Sequence, residues 1–196
     1  MANFGGYLTE EQIKAIFRNL KSDIHKVFLW SLYDSGRRVS EWLAIRWKDV
    51  KWERRLITVG ILKKGTTLRM DVPVGRTSIE LLKKYVEKAE KGEAKFHNKI
   101  DLSPEGLVFP FTRQNAHQVL RRAADNAGIK EIGELKKPFH CHMLRHSRAI
   151  SLIKEGMQQI DLQKFMAHSS LETTGQYIQY TGDDLRRLRD KFIGME

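Results

Sequence analysis

Apolar positions along this 196-residue chain change their period several times, and each change marks an element. Near the start, "YLTEEQIKAIFRNL" places Ile13, Ile16, Phe17 and Leu20 three and four residues apart, the spacing of one helix face. Thr9 stands ahead of that stripe with Gln12 three residues on, the arrangement of a capping box. Leu8 and Ile13 sit where a hydrophobic staple would. A second helix is predicted over "DIHKVFLWSLYDS", stopping at Gly36, and a third directly after it in "RVSEWLAIRWKDV". The period then drops to two. "RRLITVGIL" and "LRMDVPV" are β-rich runs on either side of "KKGTT", which predicts a hairpin. Helical spacing returns in "TSIELLKKYVEKAEKG", ending at Gly92, and in "TRQNAHQVLRRAADNAG", with Gly128 as the expected C-cap. Between them, from Glu93 to Gly106, the chain is polar and weakly periodic, as a surface loop is. The last third reads as helix, broken near Gly156, His168 and Gly182. No internal repeat is present. The expectation is a mostly α domain with one small antiparallel β-sheet, an α+β fold. It forms a single unit over residues 1–196, with a flexible start (1–6) and a tail helix (183–196).

Composition narrows the setting. An apolar fraction of 41% suits a soluble globular protein. No run of about 18 apolar residues and no charged-then-apolar leader is present, so neither a membrane span nor a secretory signal is expected. One cysteine, Cys141, permits no intramolecular disulfide, which fits a cytoplasmic location. The net charge of +11 favours a polyanionic partner, nucleic acid first among them. Charge alone is equally an aid to solubility, so a site has to support that reading.

The candidate chemistry starts in "HCHMLRHSRAI", residues 140–150, which crowds His140, Cys141, His142, Arg145 and His146 together. On a helix, His142 neighbours Arg145 and His146. A metal site would use His142 and His146. Met143, however, stands where such a motif carries glutamate, no second Cys or His pair has finger-like spacing, and Arg145 would repel a dication. An anion suits the cluster better, because an arginine fork binds two phosphate oxygens and a histidine adds a donor that can move a proton. Three other pieces go with it. "SGRRVSE" puts Arg38 at the mouth of a helix, and "LKKGTT" puts Lys63 and Lys64 at a hairpin tip. In "MAHSSLETTGQYIQY", His168 ends one helix, Ser169 with Glu172 forms a capping box for the next, and Tyr177 and Tyr180 follow on it.

Together these segments resemble the catalytic domain of the tyrosine recombinases, the phage-integrase family. "SGRRVSEWLAIRWKDV" looks like the family's first arginine box, with Arg38 matching its arginine and Glu41 its supporting acid. "HCHMLRH" resembles the second box and gives His142 and Arg145. "MAHSSLETTGQY" resembles the last segment, in which a histidine precedes the nucleophilic tyrosine by nine residues; His168 and Tyr177 fit. The likeness extends to "LTEEQIKAIF" and "LVFPFTRQNAHQVLRRAADNAGI", almost the whole chain. Two departures stand out. The hairpin is about one residue longer than usual, so the family's lysine falls on Lys64, beside Gly65, with Lys63 the alternative. Family members usually also carry an N-terminal helical DNA-clasping domain, which this sequence does not include.

The resemblance implies transesterification on DNA through a 3′-phosphotyrosine, without metal or cofactor. Tyr177 is the implied nucleophile, with Tyr180 as the alternative. Arg38 and Arg145 would clamp the phosphate, His142 would bind it or assist proton transfer, and His168 would donate to it. Lys64 is the implied general acid and Glu41 a support for an arginine. Arg37, Lys63, Arg69 and Arg148 are candidate DNA contacts or else solvated charge. His140 and His146 are taken as outlying groups and Cys141 as an ordinary buried thiol. The implied partner is double-stranded DNA, met by a monomer that becomes a homotetramer at synapsis. Two rivals share the fold: a type IB topoisomerase-like activity, and a catalytically silent DNA-binding regulator.

Overall fold

The computed structural model describes residues 7–63, 66–94, 100–129 and 139–167. Helix α1 (Glu10–Arg18) starts at the expected capping box: the Gln12 N–H donates to Thr9 Oγ1 at 3.3 Å and the Thr9 N–H to Gln12 Oε1 at 2.9 Å. Helix α2 (Asp23–Ser35) ends at Gly36, whose φ of 62° turns the chain out of the helix. Buried residues occupy most sides of α2: Ile24, Val27, Phe28, Leu29, Ser31, Leu32 and Ser35. A helix covered this way is a central post, and α1, α4 (Arg76–Glu90), α5 (Arg113–Asn126) and α6 (His142–Lys154) all pack on it. Asp34 near its end caps α4, accepting from the Gly75 N–H and the Ser78 hydroxyl, each at 2.6 Å. Buried Trp42 donates its indole N–H to Ser31 at 2.9 Å, which ties the next element to the post.

That next element is shorter than the sequence pattern predicts. Helix α3 covers only Val39–Leu43, and a 3-10 turn follows at Trp47–Asp49. Between them, Arg46 bridges to Leu107, and the Val108 N–H donates to the Ile45 carbonyl at 3.1 Å. The returning loop thus takes the hydrogen bonds a longer helix would have kept, and the exchange buries Ile45 and Trp47. Periodicity along the chain cannot register a partner sixty residues away.

The sheet has three antiparallel strands in the order β1 (Val50–Lys51), β2 (Leu56–Lys63), β3 (Thr66–Pro73). Ile57, Val59 and Ile61 alternate inward on β2, and Ile57 pairs with Val72 over the core. Two-residue β1 lies outside the predicted hairpin. The strands also reach further toward the tip than the pattern indicates. Lys63 pairs with Thr66, which reduces the "KKGTT" connection to Lys64 and Gly65, both outside the described residues.

Helices α4 and α5 close as expected, with Gly92 at φ 69° and Gly128 at φ 74° just beyond them. Helix α7 (Gln159–Met166) packs on α6 through a small second cluster of Ala149, Leu152, Ile153, Leu162 and Met166. Gly156 breaks the chain between them at φ 98°. The Ser169–Glu172 cap, the start at 1–6 and the tail at 183–196 fall outside the described residues. Among the described residues no helix is long and apolar enough to cross a membrane.

Candidate active site

Three helix ends meet at one place: the C-terminus of α2, the N-terminal half of α6 and the C-terminus of α7. Gly36 leaves α2 and the chain runs through Arg37 and Arg38 into α3. Arg38 is the residue before the first turn of α3, and Glu41 lies three residues on. The Glu41 carboxylate accepts from the Arg38 backbone N–H at 3.0 Å and from its guanidinium at 2.8 Å. Glu41 is itself buried, while the Arg38 side chain remains 43% exposed. One carboxylate therefore fixes both ends of an arginine whose charge faces outward.

Helix α6 begins at His142, and His117 on α5 receives its opening: the Cys141 N–H donates to His117 Nδ1 at 3.0 Å. No sequence signal singles out His117, because its partner lies 24 residues away. Arg145, one turn into α6, is 1% exposed. Its guanidinium donates to the Gly36 carbonyl at 2.6 Å and to the Met166 carbonyl at 2.7 Å. Both acceptors are main-chain groups at the carbonyl ends of helices, where the backbone dipoles leave negative charge. A buried cation is tolerable there, and its plane is locked.

His142 lies at the rim of this junction, one side open to solvent and the other against the charged cluster, its ring 6.3 Å from that of His140. Desolvation, then the Arg145 charge, then His140, His146 and Arg38, push its pKa down to about 4. At neutral pH it is an uncharged imidazole and a weak base, available as a hydrogen-bond partner. Burial likewise lowers the pKa of His146 and raises that of the Cys141 thiol to about 12, so Cys141 is unreactive. Among the described residues no group of three or more His, Cys, Asp or Glu is placed to hold a metal ion.

The four candidate DNA contacts separate. Arg37 is not solvated charge: it is 1% exposed beneath α7. Arg148 is half-buried, its guanidinium over the Tyr33 ring at 5.6 Å and within 3.9 Å of Asp34 and 3.7 Å of Glu155. Arg69 is 61% exposed and ion-paired with Asp49. Lys63 is the last paired residue of β2. Lys64, His168, Tyr177 and Tyr180 lie outside the described residues, which stop at Ala167.

Arg37, Arg38, Glu41, His142 and Arg145 thus share one neighbourhood, drawn from segments a hundred residues apart. The fold around them is that of recombinase catalytic domains. It superposes on the crystal structure of XerA recombinase with a TM-score of 0.75 at 20% identity, over 100% of this chain and 66% of that one. The catalytic domain of bacteriophage HP1 integrase matches with a TM-score of 0.65 at 18% identity, over 96% of this chain and 95% of that one. XerH site-specific recombinase bound to difH substrate, in a pre-cleavage complex, gives 0.67 at 22%, over 97% and 55%.

The chain belongs to the phage integrase family, whose model matches residues 6–182. It is 28% identical over 188 residues to tyrosine recombinase XerC of Staphylococcus epidermidis ATCC 35984, covering 93% of this chain and 60% of that protein. It is 29% identical to XerC of Staphylococcus aureus N315, covering 93% and 59%. The chain therefore spans about three-fifths of the length of these relatives.

Proposed function

We propose that this chain is the catalytic domain of a site-specific DNA recombinase that cuts and rejoins strands through a 3′-phosphotyrosine link. The observation that supports this most strongly is Arg145, a buried guanidinium held by two helix ends beside the carboxylate-locked Arg38. Such a pair suits the two non-bridging oxygens of a phosphodiester. Met166, which holds Arg145, is two residues before His168 in the chain, which supports assigning both to one site.

In this reading the Tyr177 oxygen bonds to phosphorus as the bond to the 5′-oxygen breaks. Neutral His142 binds a phosphate oxygen or assists removal of the phenolic proton, His168 donates to the phosphate, and Lys64 protonates the departing 5′-oxygen. A later attack by a 5′-hydroxyl of another strand runs the sequence backwards. A free tyrosine is ionised to about one part in a thousand at pH 7, a cost of about 4 kcal/mol. One well-placed donor to a developing oxyanion contributes about 3–4 kcal/mol. Two such arginines therefore more than offset the cost of using tyrosine at neutral pH. The partner is double-stranded DNA, bound by four protomers at synapsis and by a monomer before it.

The test is a covalent-trap gel in EDTA, with the protein mixed with plasmid and pooled duplex DNA, then denatured. An adduct lost in Tyr177→Phe and kept in Tyr180→Phe supports the proposal. Loss in Tyr180→Phe alone moves the nucleophile. DNA binding without any adduct sinks the catalytic reading and favours a regulator. Relaxation of plasmid by a monomer, without exchange between sites, favours the topoisomerase-like rival.

A further inference from the structure

Arg37 is a cation in an unusual position. Its guanidinium is 1% exposed, and Nε donates to the Ser35 carbonyl at 3.3 Å. Neither terminal nitrogen has a hydrogen-bond partner among the described residues. Its Cζ lies 5.9 Å from the centre of the Phe165 ring on α7. The nearby Arg145 repels it, and burial and that repulsion together pull its pKa down to about 10. The carboxylate that reaches it electrostatically, Glu41, is already bonded to Arg38. A protein interior leaves very few charged donors in this condition, since an unpartnered buried cation is strongly destabilising. A bare Leu or Met would fill the same space without that cost.

The position explains what the charge is for. The end of α7 lies over both guanidinium groups: Phe165 covers Arg37, and Met166 binds Arg145. An oxyanion that reaches Arg145 therefore arrives beside two unused donor nitrogens. We infer that Arg37 is a third phosphate-binding guanidinium, whose terminal nitrogens are completed by an oxygen of the phosphate held by Arg145 and Arg38. This rests on the strand-transfer reading for the identity of its substrate. A phosphodiester carries one negative charge, and the pentacovalent transition state carries a second. The surplus cation is matched to that second charge, so Arg37 contributes more to the chemical step than to DNA affinity.

The experiment compares wild type, Arg37→Leu and Arg37→Lys in melting and in single-turnover cleavage. In chloride buffer, Arg37→Leu melts above the wild type because an uncompensated charge is gone, whereas Arg37→Lys does not. At matched ionic strength, inorganic phosphate raises the wild-type Tm by ~3 °C or more and the leucine variant's by less than half as much. On DNA, Arg37→Leu slows adduct formation by about 100-fold, with affinity changed by less than about threefold. A leucine variant that fails to fold, or that melts below wild type in chloride, shows a structural role and overturns the inference. So does an equal phosphate shift in the two proteins, or no phosphate shift in the wild type. If wild type forms no adduct but the melting pattern holds, the anion site stands and the recombinase reading fails.

Discussion

Gly36→Ala is the sharpest test of how the helix junction holds the arginines. Gly36 sits at φ 62°, and a Cβ built there would lie 2.8 Å from Met166 Sδ and 3.2 Å from Phe165 Cε1. Two costs follow. An L-residue in the left-handed region loses about 1–2 kcal/mol, and overpacking against the end of α7 adds about 1–3 kcal/mol. The sum is about 2–5 kcal/mol, or a fall in Tm of about 4–20 °C for a chain of this size. Gly92→Ala is the matched control, because Gly92 has φ 69° and nothing within 4 Å of its would-be Cβ. It suffers the backbone cost alone, about 1–2 kcal/mol. Urea unfolding at constant slope measures both. The difference between the two variants isolates the contact of the α2 end with the α7 end. Because Gly36 and Met166 are also the two carbonyls that hold Arg145, Gly36→Ala should slow phosphate chemistry at temperatures where it remains folded, and Gly92→Ala should not. Equal losses in the two variants would refute the argument, since the close approach would then carry no energy.

Two further outcomes follow from the same geometry. Glu41→Gln keeps one acceptor for Arg38 and loses the other, at a cost of about 1–2 kcal/mol in stability; single-turnover cleavage should fall about tenfold with DNA affinity little changed, and an unchanged rate would show that Arg38 needs no such support. The depressed pKa of His142 predicts a pH effect on stability. The unfolded chain takes up a proton near pH 6.5 and the folded site only near pH 4, so stability falls as pH drops through that window and is constant above it. His25, His117 and His146 are shifted the same way, so the slope is shared. Melting curves between pH 4 and 8 should show a shallower slope for His142→Gln than for wild type, and identical slopes would contradict a neutral His142.

What the sequence disclosed, and what it hid, divides along one physical line. The caps of α1 and α5, the stop of α2 at Gly36 and the alternation on β2 are local: each is set by residues within about four positions, so a linear reading finds them. The same holds for Glu41 and Arg38, which are one helical turn apart. The length of α3 failed because its competitor, the segment from Pro104 to Val108, is distant in the chain. Beta-strand β1 was missed because two residues have no period. Arg37 is the instructive case. In the sequence, the spacing to Glu41 singles out Arg38, but nothing local shows that Arg37 beside it is buried. The fold separates them completely: Arg38 turns outward against Glu41, and Arg37 turns under α7, more than 120 residues further along the chain. Which of two neighbouring arginines is solvated is decided by which helix end arrives to cover it. The charged residues of the proposed site are thus readable from composition and spacing, whereas the packing that buries and aims that charge becomes visible only when the helix termini are brought together.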